Sequence, residues 1–143
     1  MYSRIVLPTD GSPNAEAAAK RAIDLASHFD AELSVIAVIE SGPLGSLSLP
    51  GQKQSPESSL AEAAESFVTD LVSDAEAHNL TVTKEILHGL PVSEICTYAE
   101  EINADLIVMG SRGSGGFDRM LLGSVAEGVS RYGDIDVLLV DGS

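Results

Sequence analysis

The sequence predicts a single α/β domain: a three-layer sandwich of five parallel strands and four helices. Three observations predict it. Short apolar runs alternate along the whole chain with stretches of helical periodicity. The runs are continuously apolar, as strands covered on both faces are. The 143 residues, 44% of them hydrophobic, suffice for one core, and no internal repeat or domain break divides them.

The elements follow in order. "RIVLP" (4–8) reads as a buried strand. Ser12 can then cap a helix whose first position is Pro13, and Ala15, Ala18, Ala22, Leu25 and Phe29 recur at helical spacing. "LSVIAVIE" (33–40) is a second buried strand. Residues 41–58, rich in Gly, Pro and Ser, predict a long loop free to move. Ser59 and Glu62 have the spacing of a capping box, opening a helix with Leu60, Ala64, Phe67 and Leu71 on its buried stripe. "TVTKEILH" (81–88) mixes Lys84 and Glu85 into a strand, which fits the edge of a sheet. Pro91 starts a short helix with Val92, Ile95, Ala99 and Ile102 on one face. "DLIVMG" (105–110) is the fourth strand, Ser124 to Tyr132 the last helix, and "DVLLVD" (136–141) the last strand.

Helices between successive buried strands imply right-handed crossovers and a doubly wound sheet. Ligands of such sheets sit beyond the carboxyl ends of the strands, where the strand order reverses. The loops "PTDGS" and "GSRGSGGF", after strands one and four, are therefore candidates to face one another.

Composition narrows the function. There are 22 Asp+Glu against 8 Lys+Arg, a formal net charge of -14. Such a surface repels a nucleic-acid duplex and an anionic membrane alike. Three lysines among so many carboxylates suggest a cytoplasm of high ionic strength, as in a halophile. The single Cys96 excludes an intramolecular disulfide and any multi-cysteine metal site. His28, His78 and His88 have no metal-ligand spacing. The N-terminus does not read as a signal peptide, and no segment approaches a membrane span, so a cytoplasmic location is expected.

The stretch Gly110–Ser124 carries the chemistry. It holds five of the 13 glycines together with Arg112 and Arg119. Glycine lets backbone amides approach a ligand with no Cβ in the way, and successive amides form a concave anion site. The loop ends at a helix start, where free amides and the helix dipole add to the attraction. Arg112 supplies charge, and Ser124 can donate its hydroxyl to a phosphate oxygen. Ser124 with Glu127 also has the spacing of a capping box, a purely structural role. Neither GxxxxGK[ST] nor a GxGxxG after the first strand is present. "SGGFD" is similar to the SGGxD of pyrophosphatase-type adenylating enzymes, but there it follows the first strand, here the fourth.

Gly110-x2-Gly113-x9-Gly123-Ser124 resembles the G-2x-G-9x-G-[ST] signature of ATP-binding universal stress proteins. "RIVLPTDGS" resembles that family's opening strand and Asp loop, and "HGLPVSEI" its G-x-P-x-x-x-I element. "ADLIVMGSRGSGGFDRMLLGSVAEGV" resembles its most characteristic segment. The resemblance covers nearly the whole chain, 1–143, as one domain. It implies an adenine nucleotide α-hydrolase-like sheet of order 3-2-1-4-5. It also implies a homodimer through the last strand, 136–141.

The implied site runs from base to phosphate. Pro8, Thr9 and Asp10 would line the nucleoside end, with Asp10 near ribose or metal. Val38 would meet adenine through its backbone, and Met109 and Gly110 would bound the ribose. Arg112 and Gly113 would start the phosphate loop, with Gly123, Ser124 and Val125 holding phosphate at the helix start. Mg2+ would accompany ATP through phosphate oxygens and water, with no metal ligand set of the protein's own. The last strand departs from the family pattern: Asp134 and Asp136 stand where a Cys-Pro or similar pair is usual.

No catalytic triad is visible, so the resemblance implies a nucleotide-dependent stress or regulatory protein. Slow hydrolysis, or self-phosphorylation on Ser111 or Ser114, is the most catalysis it leaves room for. Two alternatives stand beside it: a nucleotide-free dimeric interaction module, and an adenylate-forming enzyme with a second pocket roofed by 41–58.

Overall fold

The structure, a computed structural model, describes residues 1–40, 56–112 and 123–142, with side chains from residue 61 onward in the middle segment. Among these, five strands alternate with four helices: β1 (Arg4–Pro8), α1 (Pro13–Phe29), β2 (Glu32–Glu40), α2 (Pro56–Glu76), β3 (Val82–Gly89), α3 (Pro91–Glu101), β4 (Leu106–Gly110), α4 (Ser124–Tyr132) and β5 (Asp136–Val140). All pairings are parallel and the order is β3-β2-β1-β4-β5, as expected. β3, with Lys84 and Glu85, is indeed an edge strand, and β5 is the other.

Alternate residues of the strands feed two cores. Ile5 and Leu7 of β1, Val35, Ala37 and Ile39 of β2 and Val108 of β4 face α1 and α2. Val6, Ile36, Ile107 and Met109 face α3 and α4. Burial on both faces is why these strands read as unbroken apolar runs. The helix faces are built largely of alanine, which lets helix and sheet approach closely. Ala18, Ala22 and Ala26 of α1 are fully buried.

Short-range signals place the first helix. Ser12 is its N-cap, its hydroxyl accepting from the Ala15 amide at 3.2 Å, and Pro13 follows at the first position. The carboxylate of Asp105 accepts from the Ser3 and Arg4 amides at 2.8 and 3.2 Å, fastening the start of β1.

One expected helix start, that of α2, differs from the structure. α2 begins at Pro56, so Ser59 lies inside the helix rather than capping it, and the preceding loop ends before residue 58. Proline at a first position has its φ already set and no N–H to lose. α4 starts at Ser124, as expected, and its cap is Gly123, with no side-chain capping bond. Glu127 pairs instead with Arg131 at 3.1 Å, one turn on, so the Ser124–Glu127 capping box does not form. The remaining residues of the 41–58 loop lie outside the described residues.

Candidate functional site

A cleft of about 750 Å³ opens at the carboxyl ends of β1, β2 and β4, where the strand order reverses between β1 and β4. That is the position expected for ligands of an open α/β sheet, and the volume falls in the range of small-molecule sites. Pro8, Thr9, Asp10, Val38, Met109, Gly110, Arg112, Gly123, Ser124 and Val125 all line it. Gly113, the remaining predicted site residue, lies outside the described residues, as do Ser114 and Arg119.

The loop after β1 is held by its own short bonds. The Thr9 amide donates to the Ile36 carbonyl at 2.9 Å, tying the loop to β2. The Gly11 amide donates to the Thr9 hydroxyl at 3.3 Å, and the Ser12 amide to Asp10 Oδ1 at 3.0 Å. Gly11 has φ +77°, and a Cβ there would lie 2.9 Å from the ring of Phe67. Glycine is thus required twice, for the left-handed backbone and for the ring of α2 above it. The turn leaves Asp10 exposed at the cleft wall.

The opposite wall comes from β4 and α4. The Ser111 amide donates to the Val140 carbonyl at 2.9 Å, and its carbonyl accepts from the Gly123 amide at 2.7 Å. The second bond joins residues 111 and 123 directly, the two sides of the glycine-rich stretch. A Cβ on Gly110 would lie 2.9 Å from Asn14 Cβ, so β4 ends in direct contact with the first turn of α1. Gly123, Ser124, Val125 and Ala126 line the cleft with the first turn of α4. Among the described residues no side chain caps that turn, and uncapped amides at a helix start attract anions.

Charge in the cleft is sparse. Among its described lining residues Asp10, Glu40 and Arg112 are the charged ones. Arg112 donates through Nη2 to the carboxylate of Asp141, just past β5. Its side chain is 12% exposed. The guanidinium is therefore at the site, but with a carboxylate already on it. The rest of the wall is mainly apolar, with Ala37, Val38 and Ile39 from β2, Pro91 and Ile95 from α3, and Ala64 and Phe67 from α2.

Several of these were not singled out from sequence. Ile39 and Glu40 continue the strand end that pointed to Val38. Ala64 and Phe67 were visible as a buried stripe, but its position over the Asp loop depends on how α2 packs. Ser12 was read as a cap and is also part of the wall.

None of the three histidines lines the cleft. Cys96 lies in a shallower groove between α3 and α4, and burial, with the charge of Glu100, pushes its thiol up. A thiol held in its protonated form is a poor nucleophile near neutral pH. Among the described residues no group of three or more His, Cys, Asp and Glu side chains could hold a metal, and no helix is long and apolar enough to cross a membrane.

Residues 1–141 match the family model described as the universal stress protein family. The chain is 40% identical over 140 residues to universal stress protein MJ0531 of Methanocaldococcus jannaschii, covering 98% of this chain and 82% of that protein. Among solved structures, hypothetical protein MJ0577 superposes with a TM-score of 0.86 at 30% identity, covering 99% of this chain and 96% of that one. A universal stress protein solved in complex with cAMP superposes with a TM-score of 0.71 at 29% identity, covering 99% and 98%.

Proposed function

The chain belongs to the universal stress protein family, and from that premise we propose that its cleft binds an adenine nucleotide, ATP with Mg2+, and that the protein is a nucleotide-dependent regulator of stress responses. The observation that carries the proposal is the division of one cleft into two chemistries. Val38, Ile39, Pro91 and Ile95 offer an apolar slot of the kind a flat base enters. The uncapped first turn of α4 and Arg112 offer amides and a cation at the other wall. The cAMP complex of a structural relative supports the same ligand class.

In this reading the backbone of Val38 meets adenine. Pro8, Thr9 and Asp10, with Met109 and Gly110, flank the ribose. Gly123, Ser124 and Val125, helped by Arg112 and Gly113, take the phosphates. Ser124 stands at the first helical position and not at the cap, which supports reading its hydroxyl as a phosphate donor over the capping alternative. Mg2+ is proposed to ride on phosphate oxygens and water, since the described residues assemble no metal cluster of their own. The cleft is read as a binding site rather than a dedicated catalytic centre, because its described wall carries no histidine or thiol. A cytoplasmic setting is part of the same proposal.

A homodimer through β5 also belongs to it. β5 is an edge strand, and Val137, Leu138 and Leu139 are only partly buried in the single chain. Sedimentation equilibrium should return twice the chain mass; a monomer at micromolar concentration would refute this part.

The nucleotide is tested on the protein as purified. Mass spectrometry of the released ligand should identify an adenine nucleotide, and calorimetry with Mg-ATP should give a saturable isotherm. Gly123→Val sets an isopropyl group at the mouth of α4 and should weaken ATP by about tenfold or more. Equal affinity in that variant would mean that the phosphates lie elsewhere.

A further inference from the structure

The end of the chain returns to the site. Just past β5, Asp141 accepts from the Arg112 guanidinium. The next amide, that of Gly142, donates to the Asn14 side chain at the start of α1. Gly142 sits so close that a Cβ would lie 3.0 Å from both Asn14 Cα and the Pro13 carbonyl oxygen. The same first turn of α1 touches Gly110. Residues 110–112, 141–142 and the start of α1 thus form one small junction beside the cleft.

The ion pair in this junction is lopsided. The Arg112 side chain is 12% exposed and lines the cleft, whereas that of Asp141 is 59% exposed. A cation so far removed from water needs a counter-ion. The carboxylate that supplies it is open to solvent and would regain hydration on leaving.

We infer that Asp141 competes with the nucleotide phosphates for Arg112, and so sets how much each added phosphate raises affinity. The inference rests on the nucleotide reading of the cleft. An incoming polyphosphate finds the guanidinium already neutralised. It must displace Asp141 or share the cation with it, and sharing sets two anions side by side in a chain of net charge -14. Adenosine, with no phosphate, makes no such demand. Displacement has a second effect, because Asp141 adjoins the Gly142 contact with Asn14: phosphate at Arg112 loosens the segment that follows β5.

The test is a calorimetric series of adenosine, AMP, ADP and ATP at low salt on the parent and on Asp141→Asn. The asparagine variant should bind adenosine within about twofold of the parent and ATP about fivefold tighter, the scale of a partly exposed ion pair. In an Arg112→Gln background the same change should do nothing further. Hydrogen exchange on the unmutated protein gives an independent readout: the Gly142 amide should lose protection with ATP but not with adenosine. The competition is overturned if Asp141→Asn leaves ATP unchanged or weaker, if adenosine and ATP move by the same factor, or if Gly142 keeps its protection in ATP. If the parent binds no member of the series, the nucleotide reading falls and the competition with it.

Discussion

A methyl group at Gly128, in the middle of α4, would lie 2.5 Å from Val92 Cγ2 of α3. Two effects oppose each other there. Alanine improves helix propensity by up to about 1 kcal/mol, while overpacking a fitted contact costs about 1–3 kcal/mol. The 2.5 Å approach is far inside van der Waals contact, so the clash should win. Gly128→Ala is expected to lower the melting temperature, and Val92→Ala in the same chain to restore it. Tyr2 offers a second measurement at this scale. Its hydroxyl donates to Asp136 Oδ2 at 3.0 Å. That bond, joined by desolvation and by the charges of Asp136 and Asp105, raises its pKa above the ordinary 10.0. A raised folded value means that the contribution is complete below the unfolded pKa and disappears as pH climbs through the folded one. Asp136→Asn should bring the tyrosine titration back toward the ordinary value and remove that alkaline loss. The bond also shows why this scale is only partly legible in sequence. Asp136 invited attention as a departure from the family's last strand, but its partner lies 134 residues away. Arg112 likewise read as a free charge for a ligand, and Asp141, 29 residues on, answers it. Ser12, whose partner lies three residues away, was readable as a cap because the bond is local.

Among the elements, β1, β2 and β4 were legible as continuous apolar runs, since two-sided burial leaves that mark on sequence. The helix starts at Pro13, Pro91 and Ser124 were legible, and that of α2 was not. Ser12-Pro13 gave α1 without competition, whereas Pro56 and Ser59 competed for α2 and proline prevailed. At α4 the start at Ser124 was read correctly from the end of the glycine run, while the alternative of a Ser124–Glu127 capping box has no counterpart, because the cap is Gly123. The Ser12 cap gives a prediction for a whole element. Ser12→Ala removes the acceptor of the Ala15 amide and should cost about 1 kcal/mol, read as a shift in the urea midpoint with unchanged slope. Ser12→Asp keeps an acceptor and should hold the midpoint near that of the parent. The reach of α2 over the Asp loop, with Phe67 against Gly11, was not legible, because a buried stripe does not say which loop it will cover.

For the molecule as a whole, architecture and charge were the readable properties. Alternating elements required a parallel sheet, while the order 3-2-1-4-5 came from the family resemblance and agrees with the structure. The net charge of -14 on 143 residues makes self-repulsion a term in stability. Raising salt from about 0.1 to 1 M shortens the screening length from about 10 to 3 Å. The melting temperature should therefore rise with potassium chloride and with potassium acetate alike. A flat or falling dependence would show that the acidic surface is already balanced in the fold, and would remove the halophile reading.

The bond from the Gly123 amide to the Ser111 carbonyl acts as a clasp at the root of the residues between them. Where two ends are held by the fold itself, the closure entropy of the chain between them grows only slowly with its length, about 0.6 kcal/mol for each doubling. Four glycine-serine residues inserted after Gly115 are expected to leave thermal unfolding almost unaltered, while ATP affinity in calorimetry changes if the proposed phosphate site is right. Evolution would thus find in this place a dial for ligand choice that leaves the scaffold alone.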